Sequence, residues 1–443
     1  MKTLIKNAQI TNEGKTFKAD ILIKDNYISA IYTGTVPELK ADNIIDAKGK
    51  WLIPGVIDDQ VHFREPGLTH KGDIYSESRA AAAGGVTSFM EMPNTIPQTT
   101  TNALLNEKFN IAADKSLVNY SFYLGANNDN IDEISKIDPK RTPGVKIFLG
   151  SSTGNMLVND DKIIKNIFEN SPVLCAIHSE DDSIINSNLR KYKSLYGDDI
   201  PFYFHPNIRT REACFKSTEK AVNIATKTNC RLHILHISTA DELSLLSDKP
   251  LKDKRITAEV CVHHLWFNVD DYGKYGAKIK WNPAIKDEKD RTELIKALKT
   301  GKIDVVATDH APHTLTEKNN NYINAPSGGP LVQHSMQAMI ELVNQKYFSK
   351  EELVKFMCHK PADLFNIVKR GYIKEGCYAD LVLIDLDDKT NVNKENILYK
   401  CGWSPFEGQK FNSKIIYTFV NGKIVFDNGK IIETDSAKAL EFD

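Results

Sequence analysis

Six residues of this chain are candidates for metal-ligand chemistry at places that packing alone does not explain: His62, Lys146, His178, His236, His264 after Val262-His263, and Asp309. Each ends or interrupts a short apolar run. His62 follows Val61, His178 follows Ile177 and His236 follows Leu235, while Lys146 lies inside Gly144-Val145-Lys146-Ile147-Phe148-Leu149. Asp309 falls just after Ile303-Asp304-Val305-Val306, within Ala307-Thr308-Asp309-His310-Ala311-Pro312-His313. Three of these imidazoles, a carboxylate and a modified lysine would form a mixed nitrogen and oxygen set suited to Zn2+, with Mn2+ or Co2+ as alternatives. A lysine inside an apolar strand is costly unless it is paired or neutralised. It either snorkels to the strand end or reacts with carbon dioxide to become an anionic, bridging ligand. A metal lowers the pKa of its water towards about 7, and Asp309 is placed to act as general base and then acid. Arg64 is a planar, permanently charged fork suited to a substrate carboxylate, with Asn94 and His313 completing the anion pocket.

Bringing these residues together requires a fold that collects strand ends. From about Pro54 to Arg370, short apolar runs alternate with helical stretches, the pattern of parallel β/α units. Eight candidate strands end near Val61, Met90, Leu124, Leu149, Ile177, Leu235, Val262 and Ala307. This predicts an α/β fold, a metal-dependent (β/α)8 TIM-like barrel, whose active site forms at the C-terminal strand ends. Both termini have a different idiom. Leu4-Ile5-Lys6-Asn7-Ala8, Ala19-Asp20-Ile21-Leu22-Ile23 and Tyr27-Ile28-Ser29-Ala30-Ile31 read as short antiparallel strands, as do Asp380–Ile384 and Ile415–Val420 before the hairpin signal Asn421-Gly422. The predicted division is a composite β-sandwich domain, 1–53 plus 371–443, around a 54–370 barrel.

Composition narrows the function. The 443 residues carry 57 basic and 58 acidic side chains, a net charge of -1 without long runs of one sign. That balance argues against nucleic acid or a membrane surface as partner. No apolar stretch approaches the roughly 20 residues that span a bilayer, and the N-terminus lacks a signal-peptide core. The seven cysteines are scattered without a close pair, as expected of reduced thiols in the cytoplasm. Other histidines, His70, His205, His233, His334 and His359, are expected to be ordinary core-edge residues bonded to backbone carbonyls.

The motifs resemble those of the amidohydrolase superfamily and, within it, the dihydroorotase family. The resemblance rests on Ala307–His313 with Lys318 following, on Val61-His62-Phe63-Arg64-Glu65-Pro66-Gly67, and on Gly84-Gly85-Val86-Thr87 with Met92-Pro93-Asn94-Thr95. Leu235-His236-Ile237-Ser238-Thr239 and Val262-His263-His264-Leu265 are also similar, and the motifs run in family order over nearly the whole chain. The resemblance implies reversible, zinc-dependent hydrolysis of dihydroorotate to N-carbamoyl-aspartate in pyrimidine biosynthesis. It implies His62, Lys146 (carboxylated), His178, His236 and Asp309 as ligands of one or two Zn2+ ions, with Asp309 also catalytic. It implies Arg64, Asn94 and His313 as carboxylate anchors, Asn282 and the backbone from Pro326 to Gly329 as ring contacts, and a homo-oligomer, such as a dimer. One position departs from the family pattern. Gln60 stands where the first motif has its first histidine, and an amide oxygen is a weaker zinc ligand than imidazole, so one metal or two stays open. Two alternatives remain: another cyclic amidohydrolase of dihydropyrimidinase or allantoinase type, and an inactive homologue partnering aspartate transcarbamoylase.

Overall fold

Eight parallel strands close a barrel in the computed structural model, which describes residues 1–34, 40–150 and 155–443. They are Val56–Val61, Val86–Glu91, Asn119–Phe122 continued by Leu124–Gly125, Gly144–Phe148, Leu174–His178, Leu232–Ile234, Ile256–Cys261 and Val305–Ala307. Neighbours pair in chain order and always in parallel. The third strand joins two arcs, since Asn119–Phe122 pairs with the second strand and Leu124–Gly125 with the fourth. The ring closes where Val61 bridges His310 and the His62 amide donates to the His310 carbonyl at 2.7 Å. Every strand ends within one residue of its predicted position. Nearly all strand residues are buried, as in parallel sheets covered on both faces.

Capping residues turn the chain outward once each strand has delivered its polar residue. Asp181 accepts from the Ser183 and Ile184 amides and starts helix Asp182–Tyr196, three residues beyond His178. Such a cap contributes about 1 kcal/mol and satisfies amides left free at a helix start. Asp73, Asp160, Thr210 and Asp287 cap other barrel helices in the same way.

Both termini meet in one nine-stranded sheet, joined where Leu381–Asp385 pairs antiparallel with Trp51–Pro54. The predicted hairpin forms between Lys414–Val420 and Lys423–Asp427. Asn421 and Gly422 both take positive φ there, 49° and 77°, as a two-residue turn of matching twist requires. A side chain at Gly422 would lie 2.1 Å from the Asp25 carbonyl, so the turn also sits against the neighbouring strands. Not all of the C-terminal region joins this sheet. Phe406 and Phe411 pack against Trp266 of the barrel, and Ala439 bridges Tyr120. Among the described residues no helix is long and apolar enough to cross a membrane.

Candidate active site

A cavity of about 620 Å³ opens at the C-terminal ends of the barrel strands and gathers the residues that the sequence singles out. His62, Lys146, His178, His236 and Asp309 line it together with Arg64, Asn94, Asn282 and His313. Gln60 also faces it. Three of these non-glycine residues have positive φ: Arg64 at 72°, His236 at 42° and Asp309 at 47°. Such backbone is uncommon outside glycine and concentrates at functional sites, where surrounding structure holds it in place.

The nitrogen and oxygen donors form two close pairs. His178 Nδ1 lies 3.0 Å from His236 Nε2, and His62 Nε2 lies 3.1 Å from Asp309 Oδ1. Tautomers follow from the outer partners. Asn94 Oδ1, 2.7 Å from His62 Nδ1, can only accept, so Nδ1 carries the proton. Burial holds the His62 imidazole below its usual pKa, despite the neighbouring Asp309. A neutral His62 therefore sets the Nε2 lone pair against a carboxylate oxygen. Two acceptors at 3.1 Å repel unless a cation or proton lies between them. The buried His236 Nδ1 is likewise without a hydrogen-bond partner among the described residues. The donor set thus fits a divalent cation.

Lys146 is 1 % exposed, and burial pushes its amine down to about 7, with Asp309 and Glu259 only partly offsetting this. A large fraction of the side chain is then the neutral amine at physiological pH. That form is the one able to add carbon dioxide.

Glu180 and Arg209 were not singled out by sequence. His178 Nε2 lies 2.9 Å from Glu180 Oε2, the arrangement that fixes ligand histidines in metal sites. Burial opposes the charge on Glu180, but Arg209 and His178 outweigh it and bring the carboxyl down to about 2. Glu180→Gln is expected to weaken metal affinity by about 10–100-fold, measured by competition with a chelator. Unchanged affinity would show that His178 needs no orienting partner. The available signal was Glu180 lying two residues after His178, which has no meaning until the strand end is known.

Gln60 donates from Nε2 to Asp309 Oδ1 at 3.2 Å, while its Oε1 accepts from the Cys261 thiol at 3.7 Å. The opposite amide orientation would place two oxygens together. A hydrogen-bond donor thus faces Asp309 where an imidazole was expected.

At the other side of the cavity, Arg64 is 6 % exposed and donates from Nε to the Pro312 carbonyl at 3.1 Å. Burial lowers its pKa to about 10, so it stays charged at neutral pH. His313 Nε2 lies 3.1 Å from Arg64 Nη2, and Lys71 Nζ lies 3.0 Å from His313 Nδ1. Asn282 presents a buried Oδ1 without a hydrogen-bond partner among the described residues. Lys318 Nζ donates to the Pro326 and Gly328 carbonyls at 2.8 and 2.7 Å, which ties down the loop beneath His313. Gly328 has φ 120°, and a Cβ there would lie 2.7 Å from the Ala311 carbonyl, so only glycine fits.

Three histidines differ from the expected carbonyl-bonded kind: His70 is exposed beside Glu317, His334 Nδ1 meets the Tyr399 and Ser404 hydroxyls, and the third is His233. Its Nδ1 lies 2.9 Å from Thr257 Oγ1, and its Nε2 is 3.4 and 3.5 Å from Asp59 and Glu259. Burial opposes its charge, yet the two carboxylates raise it to about 9. The reason is topological: three neighbouring polar groups are placed in one barrel interior from strands far apart in sequence. Asp59, His233 and Glu259 lie close enough to hold a metal, as do Cys261, His263 and His264.

Comparison with known proteins gives the family and the fold. A family model described as the amidohydrolase family matches residues 214–425. A dihydroorotase of Lactobacillus delbrueckii subsp. bulgaricus is 31% identical over 440 residues, covering 97% of this chain and 100% of the relative. A dihydroorotase of Methanosphaera stadtmanae is 30% identical over 419 residues, covering 94% and 95%. Among solved structures, L-hydantoinase (dihydropyrimidinase) from Arthrobacter aurescens has a TM-score of 0.93 at 28% identity, with 99% of each chain covered. The chain belongs to the amidohydrolase family. Within that family it is a cyclic amide hydrolase.

Proposed function

We propose that the enzyme interconverts (S)-dihydroorotate and N-carbamoyl-L-aspartate, in the de novo synthesis of pyrimidines. The observation that carries this reading is the buried Arg64 and His313 pair, which faces the same cavity as the histidine, lysine and aspartate donors. Dihydroorotate has a ring carboxylate to meet a permanent cation. Dihydropyrimidines and allantoin have no such group, and either would leave Arg64 buried opposite nothing charged.

In this reading His62, His178, His236, Asp309 and carboxylated Lys146 hold Zn2+. The ion supplies Lewis acidity, polarising the amide carbonyl and acidifying water. Asp309 accepts a proton from the water that adds to the amide carbon and delivers it to the ring nitrogen as the carbon–nitrogen bond breaks. Ring closure runs the same transfers in reverse. Arg64, His313 and Asn94 hold the carboxylate, and Asn282 Oδ1 accepts from a ring N–H. Gln60 offers Asp309 a donor, which supports one tightly held ion rather than two. A cytoplasmic homodimer, with 1–53 and 371–443 as one domain on a 54–370 barrel, completes the proposal.

The test is turnover of dihydroorotate against dihydrouracil and allantoin. Turnover of dihydroorotate alone supports the reading, and the reverse pattern selects the dihydropyrimidinase alternative suggested by the hydantoinase-like fold. No turnover of any of them after Zn2+ or Mn2+ loading would favour the inactive partner of aspartate transcarbamoylase. Arg64→Met is expected to raise KM for dihydroorotate about 10–100-fold, the worth of a hydrogen bond to a charged group. Its metal content should not change. Loss of metal would make Arg64 a structural support.

A further inference from the structure

We propose that Lys71 is a positioning residue that holds His313 as the neutral Nε2–H tautomer, so that His313 and Arg64 present two donors to one substrate carboxylate. The proposal rests on the reading that this pair binds a carboxylate.

The argument starts from hydrogen-bond capacity. An ammonium group only donates, so His313 Nδ1, 3.0 Å from Lys71 Nζ, must accept. A neutral imidazole that accepts at Nδ1 carries its proton at Nε2. The other side of the ring agrees, because Nε2 lies 3.0 Å from the Ser327 carbonyl, which only accepts. Two independent contacts thus select one tautomer. Burial and the charges of Arg64, Lys71 and Lys318 keep the ring neutral, with His313 held well below its usual pKa.

This tautomer gives the Arg64 contact its meaning. Arg64 Nη2 lies 3.1 Å from His313 Nε2, and both groups are donors. No acceptor lies between these two groups, because the Nε2–H points to the Ser327 carbonyl. A carboxylate oxygen lodged there would take the Arg64 N–H and share the Nε2–H with Ser327 as the second acceptor of a bifurcated bond.

Lys71 is itself held by Glu317 at 3.0 Å. Glu317 is placed by the capping box of helix Leu315–Lys318, in which its carboxylate accepts from the Thr314 amide. Without Lys71, the nearest charged group facing His313 Nδ1 is Glu317 Oε2, at 3.9 Å. An acceptor there favours Nδ1–H and competes with the Ser327 carbonyl, and the Arg64 Nη2 donor 3.1 Å from Nε2 then tips the balance, since it favours a lone pair at Nε2. Arg64 and Lys318 still disfavour the imidazolium, so the ring changes tautomer rather than gaining a proton. Nε2 would then turn a lone pair towards the substrate carboxylate.

Nitrogen-15 NMR of histidine-labelled protein reads the tautomer directly, with the His313 signal assigned by its loss in His313→Asn. Wild type should show Nε2–H. Lys71→Met should show Nδ1–H, unchanged metal content and a KM for dihydroorotate raised about tenfold, the worth of one lost hydrogen bond, with kcat within about twofold. Lys71→Arg, which can still donate, should restore both tautomer and KM. A Lys71→Met protein that keeps Nε2–H, or binds dihydroorotate as wild type does, overturns the proposal. Failure of the underlying reading looks different, because wild type itself would then not turn over dihydroorotate.

Discussion

Asp309→Ala is expected to lower kcat for dihydroorotate by at least about a thousandfold, because general acid–base catalysis alone contributes about 10²–10⁴-fold. The substitution also removes the oxygen that lies 3.1 Å from His62 Nε2 and 3.2 Å from Gln60 Nε2. Metal content should therefore fall with activity. The fold should survive, since the neighbouring support is backbone: Trp281 Nε1 donates to the Asp309 carbonyl at 3.4 Å. Asp309→Asn separates the two roles. It keeps an oxygen for the metal but is a far weaker proton acceptor, so it should retain more metal than Asp309→Ala while remaining inactive. A kcat within tenfold of wild type in either variant would refute Asp309 as the proton carrier.

Lys146→Met should have an effect of similar size by a different route. The side chain is buried, with its amine 4.6 Å from the centre of the Phe148 ring. Methionine is close in shape and has no charge to bury, so the variant should melt at or above the temperature of the metal-free wild type. Activity and metal content should both collapse, because methionine cannot become an anionic ligand. The pH dependence has a definite sign. The neutral amine increases as pH rises through about 7, and that form reacts with carbon dioxide. Bicarbonate-depleted, metal-free protein equilibrated with the same partial pressure of carbon dioxide at both pH values should thus recover activity faster at pH 8 than at pH 6 when Zn2+ is returned. Metal retention by Lys146→Met, with more than a tenth of wild-type activity, would remove Lys146 from the ligand set.

Much of this architecture was legible in the chain because its signals are local. A parallel strand buried on both faces is mostly apolar, so the ends of all eight barrel strands could be located within a residue. Polar residues at the ends of those runs stood out because they are expensive there unless they do something. Asn421-Gly422 likewise announces its turn through backbone conformations that few other pairs adopt. The terminal region was harder. The segment around Phe406 and Phe411 lies in the same terminal region as the sheet-forming strands, yet it covers Trp266 of the barrel. Composition does not specify which surface an apolar segment will cover.

The sequence by itself determined the set of reactive groups and the strand ends that carry them, since both follow from residue type and short-range periodicity. Only the tertiary structure decided how those groups are paired. It set Glu180 behind His178, turned the Gln60 amide nitrogen to Asp309, enclosed His233 between Asp59 and Glu259, and brought Lys71 to His313. The physical reason is that protonation and tautomer depend on distances of about 3 Å between side chains, and barrel closure creates those distances between residues as far apart as Gln60 and Asp309.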